Sequence, residues 1–114
     1  VATRTTPGDI DQRIWQVIMM IPAGKVATYG DVAGQAGLPG GARRVGRSLS
    51  NLPRGTTLPW HRVINAQGRL SLPHGSAAYY TQRERLEAEG VVFQGNGGIS
   101  MRRYRWCPGE ASTR

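Results

Sequence analysis

Trp60, His61 and Arg62 stand in a row between Pro59 and Val63, and that row decides what chemistry the chain can do. A cysteine beside a histidine, with a carboxylate further on, makes an activated thiolate nucleophile. Position 60 carries an indole instead. An indole has no nucleophile and no acid or base function, so group transfer to position 60 is chemically impossible. What it offers is a wide π-face suited to packing against a ring swung out of a stack. An isolated tryptophan is more often a core residue; flanked by Pro59, His61, Arg62 and Val63, the stacking surface becomes the stronger reading. The single cysteine, Cys107, lies beyond Trp106 with no obvious base beside it, and reads as a tail residue.

A second cluster is cationic. Fifteen basic residues against seven acidic give a formal charge of +8, and all but Lys25 of the fifteen are arginine. Arginine presents a planar fork of donors matched to phosphates and base edges, so a polyanionic partner is the natural expectation. Arg43, Arg44 and Arg47 fall on one predicted helix, where Arg43 and Arg47 lie four apart and share a face. Arg44 and Ser48 sit beside that face, and Gly46 and Ser48 keep part of it low enough for a backbone to approach. A solvated basic face is the plainer alternative; the preceding helix and turn favour contact with DNA.

The elements that must position these groups follow from periodicity and punctuation. Val1–Gly8 reads as a disordered lead, with Asp9 as N-cap of a first helix whose stripe is Ile10, Ile14, Val17, Ile18 and Ile21. Met19 and Met20 read as core filler. Val26-Ala27 is a short strand, and Thr28 caps a second helix over Tyr29–Ala36, with Asp31 in its first turn. Gly37 stops it, and after Pro39-Gly40-Gly41 a third helix runs over Ala42–Asn51 with Val45, Leu49 and Leu52 inward. Helix, Gly-containing turn, helix is a helix-turn-helix pattern. Val63-Ile64 and Arg69-Leu70 bracket a turn at Asn65–Gly68 and predict a hairpin. Ser76 caps a fourth helix through Glu89, closed by Gly90. Val91–Phe93 and Ile99–Met101 predict a second hairpin, with Arg102–Trp106 extending its second strand and residues 107–114 a flexible tail. The helices and hairpins are expected to share one core.

Leu58-Pro59-Trp60-His61-Arg62-Val63 resembles the active-site signature Pro-Cys-His-Arg-Val of the O6-alkylguanine-DNA alkyltransferases, with Trp60 in place of the cysteine that accepts the alkyl group. That substitution marks the alkyltransferase-like group, which binds alkylated guanine without repairing it. Ile21-Pro22-Ala23-Gly24-Lys25-Val26-Ala27-Thr28-Tyr29-Gly30 and Ala42-Arg43-Arg44-Val45-Gly46 also resemble family segments, so the likeness runs from about Ile10 to Trp106. It implies that Tyr29 presses on the phosphate of the target nucleotide and favours its rotation. Arg43 would be the finger that fills the gap, on a helix lying in the minor groove, with Thr28, Ala42, Arg44, Gly46 and Arg47 as further DNA contacts. Trp60, His61, Val63, Pro73 and His74 would line the lesion pocket. Glu89 matches the carboxylate that helps activate the cysteine in the enzymes, and beside an indole it would act structurally. Pro73 departs from the arginine that some relatives carry; it can only shape the wall, and His74 either replaces the missing polar contact or is a surface histidine.

The expected fold is therefore mainly α with small β-hairpins, a winged helix-turn-helix-like domain over residues 9–106 resembling the C-terminal domain of the alkyltransferases. At 114 residues one domain is the size expectation. A chain of that length buries roughly 60–70% of its unfolded surface, enough for a modest core. A lone cysteine excludes an intrachain disulfide and a zinc cluster and fits a reducing cytosol. No apolar run reaches the ~20 residues of a membrane span, and Val1–Gly8 lacks the apolar core of a signal peptide. The resemblance implies a non-enzymatic sensor of O6-alkylguanine in double-stranded DNA. It would act as a monomer without cofactor or metal, in the cytoplasm or on the nucleoid, and hand the flipped lesion to a damage-recognition protein of nucleotide excision repair. The alternatives are a repair enzyme acting through a residue other than position 60, and a winged helix-turn-helix transcriptional regulator.

Overall fold

The computed structural model describes residues 7–53 and 55–108, so most of the expected lead over residues 1–8 and of the expected tail over residues 107–114 lies outside the described residues. The first helix, α1, spans Pro7–Met20. It begins before Asp9, which sits in the first turn rather than at the cap. A proline that opens a helix gives up only an N–H that has no partner there, so Pro7 starts the helix that Pro7-Gly8 was expected to exclude. Ile14, Val17, Ile18 and Ile21 are buried as their spacing requires. Met19 and Met20 are not core filler: they fall off that stripe and are 65% and 61% exposed.

Two residues of β1, Ala27–Thr28, pair in parallel with two of β2, Val63–Ile64, in the register Ala27 to Val63 and Thr28 to Ile64. Thr28 also caps α2, Tyr29–Gln35, in a reciprocal box: its hydroxyl accepts from the Asp31 N–H at 2.9 Å, and its own N–H donates to the Asp31 carboxylate at 3.1 Å. Gly37, at φ +77°, ends the helix in the left-handed region, and Arg13 from α1 donates to the Ala36 carbonyl at 2.7 Å. Next comes α3, Ala42–Ser50, with Val45 fully buried.

Neither expected hairpin forms a ladder. The edge of Val63–Ile64 is taken by β1, and the Asn65–Gly68 turn closes on the Gly68 N–H to the Asn65 carbonyl and the Asn65 N–H to the Arg69 carbonyl, both at 3.0 Å, without a ladder. Its Gly68, at φ +78°, presses against the Ile99 carbonyl, and a Cβ there would come within 2.8 Å of that oxygen. Phe93 and Ile99 meet in a single antiparallel bridge, and the strand expected over Arg102–Trp106 is instead the short helix α5, Met101–Tyr104, capped by Ser100. Arg105 then bridges Val26 in parallel. The long α4, Ala77–Ala88, is capped by Ser76 as the sequence suggests. Among the described residues no helix is long and apolar enough to cross a membrane.

The expected single core is two. Ala27 and Val63 belong to a cluster with Ile14, Ile18, Val32 and Val45, whereas Val26 and Ile64 belong to a cluster with Tyr79, Leu86, Val91, Ile99 and Tyr104. Successive strand residues point to opposite faces, so a sheet of two residue pairs separates one interior under α1–α3 from another under α4 and α5.

Candidate nucleic-acid interface

The arginines of α3 divide by helical phase. Arg43 and Arg47 are exposed. Arg44 turns inward to Asp11 of α1, Nη1 to Oδ1 at 3.0 Å, and Ser48, fully buried, donates its hydroxyl to the same carboxylate. Arg44, expected among the DNA contacts, and Ser48, expected beside the basic face, both fasten α3 to α1. Asp11 was not singled out, although an acid on the apolar stripe's flank is a signal that something basic must meet it. With no acidic residue in its first turn, α3 presents a helix start of positive sign with two exposed cations on one side.

Beside α3 opens a cleft of about 430 Å³. It is lined by Tyr29, Gly46 and Leu49 from α2 and α3, by Trp60 and Val63, and by Leu72 and Gln82. Tyr29 stands at the first position of α2, its hydroxyl 2.5 Å from the Ser71 hydroxyl. Trp60 opens a single 3-10 turn, Trp60–Arg62, and is half-buried rather than sealed in either interior. Its ring meets that of His61 edge-on, and the Arg85 guanidinium from α4 lies 5.5 Å from the indole centroid. A cation over an indole at an exposed site is worth about 0.5–1 kcal/mol.

Behind the indole, a polar knot holds the turn in place. His61 is 7% exposed, and its Nε2 lies 2.8 Å from Glu89 Oε2. Arg62 donates to the same carboxylate through Nη2 at 2.6 Å and Nε at 3.0 Å, and its Nη1 reaches the Ile21 carbonyl at 2.8 Å. The Gly24 N–H adds a bond at 3.1 Å. Burial pushes the Glu89 pKa up, but Arg62, His61 and the Gly24 N–H together outweigh it and bring it down to about 2. For His61, burial lowers the pKa more than Glu89 raises it. The ring is therefore neutral, with Nε2–H donating to the carboxylate and a bare Nδ1 that is buried without a partner. Glu89 thus ties the end of α4, the 3-10 turn and the loop after α1 into one unit.

Gln82, 3% exposed, fixes the turn from the other side by donating to the carbonyls of His61 and Val63, both at 3.1 Å. The signal for it in the sequence is a polar side chain between Tyr79 and Leu86 on a buried helical stripe. Like Gln82, Arg85 and Leu49 were not singled out as cleft residues. Pro73 and His74 are not brought to the cleft. They are exposed, because the chain turns there to cap α4, the Ser76 hydroxyl donating to the Pro73 carbonyl at 2.7 Å while His74 packs on Tyr79. Thr28 is buried in its capping box, Ala42 begins α3, and Cys107 is exposed and does not line the cleft. No thiol faces the His61–Glu89 pair, so the arrangement can receive a flat ring against an indole and cannot accept an alkyl group there.

The chain is similar to known proteins in both sequence and fold. Residues 9–91 match the family model described as 6-O-methylguanine DNA methyltransferase, DNA binding domain. A DNA base-flipping protein of Escherichia coli is 53% identical over 95 residues, covering 83% of this chain and 72% of that one. Alkyltransferase-like protein 1 of Schizosaccharomyces pombe is 40% identical over 100 residues, covering 84% of this chain and 93% of that one. Among solved structures, S. pombe Atl1 in complex with damaged DNA containing O6-carboxymethylguanine superposes with a TM-score of 0.80 at 36% identity, covering 91% of this chain and all of that one. Mycobacterium tuberculosis OGT in complex with DNA superposes at 0.64 and 40% identity, covering 75% of this chain and 51% of that one.

Proposed function

Because the chain belongs to the family of the 6-O-methylguanine DNA methyltransferase DNA-binding domain, we propose that it is a non-enzymatic sensor of O6-alkylguanine in duplex DNA. The observation that carries the reading is Trp60: an indole on the wall of an open cleft, backed by an intact His61–Glu89 pair that has no nucleophile to serve. A base turned out of the helix has a flat surface to lie on, and its alkyl group has nowhere to go.

Eversion costs a few kcal/mol of stacking and pairing. Tyr29, at the cleft edge, presses on the phosphate of the target nucleotide, and Arg43, exposed on α3, enters the duplex to fill the gap. Gly46, on the cleft wall, lets α3 approach the backbone, and Arg47 with the start of α3 at Ala42 adds phosphate contacts. Affinity then comes largely from released counterions and is indifferent to sequence, as minor-groove contact requires of a sensor that meets lesions in any context. The bulky complex passes to a damage-recognition protein of nucleotide excision repair. The protein acts as one chain, with residues 9–106 as the DNA-binding unit.

Competition between duplexes that differ in one O6-methylguanine tests this directly. The expected result is tighter binding of the modified duplex, with radiolabel on the methyl group remaining on the DNA. Equal affinity for both duplexes, or label moving onto protein, overturns it.

A further inference from the structure

We propose that Arg85 decides which O6 substituents the cleft prefers, and that it selects anionic ones, such as a carboxyalkyl group, over neutral alkyl groups; this rests on the lesion-binding reading above. Among the described residues lining the cleft, Arg85 is the cation, and no carboxylate lines it. Glu89 lies behind the wall and is already matched by Arg62 and His61. An anion entering the cleft therefore meets a positive charge and no exposed negative one.

Arg85 is also uncommitted. Arg62 and Arg44 are consumed by internal carboxylates, whereas among the described residues no ion pair or hydrogen bond engages Arg85, whose only partner is the indole face. Its guanidinium lies over the ring of Trp60, so a base that stacks on that face moves the guanidinium aside, towards the base's edge. A substituent projecting from the edge of such a base falls within the sweep of this exposed side chain. A carboxylate there takes two parallel N–H donors from the planar fork. A methyl group gains only contact with the apolar wall of Leu49, Val63 and Leu72. The loop carrying Pro73 and His74 does not line the cleft, so among the described residues Arg85 of α4 is the cation that an entering substituent meets.

Dissociation constants for three otherwise identical duplexes, carrying guanine, O6-methylguanine or O6-carboxymethylguanine, test the assignment at one salt concentration. Attraction to phosphate is common to all three and cancels in the ratios. Wild type is expected to favour the carboxymethyl over the methyl duplex by about fivefold, the size of an exposed ion pair. Arg85→Gln is expected to abolish that ratio while keeping both modified duplexes above guanine, and Arg85→Lys to retain most of it. A wild-type ratio of one, or a ratio that survives Arg85→Gln, overturns the proposal while the preference for modified guanine stands. Loss of preference for either modified duplex over guanine in wild type overturns the lesion-binding reading and this inference with it.

Discussion

His61 and Glu89 meet at 2.8 Å through Nε2 and Oε2, an acid–base pair kept in working geometry beside an indole that has nothing to deprotonate. Its retained task is mechanical. Glu89 gathers His61 and Arg62 of one turn and the Gly24 N–H of a distant loop around one carboxylate.

Glu89 makes stability pH-dependent in a defined window. Its folded pKa of about 2 lies below the ordinary 4.5, so its contribution is fully present above pH 4.5 and is lost as pH falls through the folded value. His61, also held below its ordinary 6.5, acts in the same sense at higher pH. Urea unfolding between pH 5 and pH 2 is expected to show a loss of ~2 kcal/mol attributable to Glu89, after allowance for solvent screening. Glu89→Gln is expected to be less stable at neutral pH and to lack that part of the acid dependence; an unchanged profile would refute the role.

Arg43 and Arg44 are neighbours with opposite expected phenotypes. Arg43→Ala removes an exposed side chain, so stability is expected to stay within ~0.5 kcal/mol while affinity for O6-methylguanine DNA drops. Arg44→Ala strands the Asp11 carboxylate against α3 and is expected to cost ~2 kcal/mol of stability. Thermal melts beside binding isotherms separate the two, and a swap of these phenotypes would be decisive against the assignment.

Trp60→Ala is expected to erase the difference between modified and unmodified duplexes while leaving most non-specific binding, since the phosphate contacts proposed for Tyr29, Ala42 and Arg47 do not involve the indole. Stacking of a base on an aromatic ring is worth ~1–3 kcal/mol, so the discrimination ratio is expected to fall by about tenfold or more. Uniform weakening on both duplexes would instead mark Trp60 as a scaffold residue.

Gln82→Leu withdraws both donors from the His61 and Val63 carbonyls. Leaving buried carbonyls unmatched is expected to destabilise the fold by ~1–3 kcal/mol and to loosen the turn that carries Trp60. Amide exchange at Trp60–Val63 reads that loosening, and unaltered protection there would exclude it.

Much of this fold was legible because it is written locally. The α1 stripe, the Thr28 and Ser76 caps and the Gly37 and Gly90 stops depend on residues within a few positions of one another. The hairpins were misread for the opposite reason: Val63–Ile64 satisfies its backbone with Ala27–Thr28, a distant partner that no turn announces. The site divides likewise. Trp60 beside His61 is visible in the chain, but the attachment of Arg44 to Asp11, the bidentate grip of Arg62 on Glu89 and the reach of Arg85 over Trp60 are all tertiary. Pro73 and His74 were placed in the pocket by resemblance, and the geometry of the turn that caps α4 carries them away from it.

The paired rungs Ala27–Val63 and Thr28–Ile64 join two oily interiors whose outer slopes make the opposing sides of the cleft. Such a seam is expected to work as the pin of a jaw, each half keeping its own packing while the aperture between Tyr29 and Trp60 adjusts to its guest. Altering the pin at Ala27 or Ile64, neither of which lines the cleft, is therefore expected to retune how large an adduct the jaw will close on.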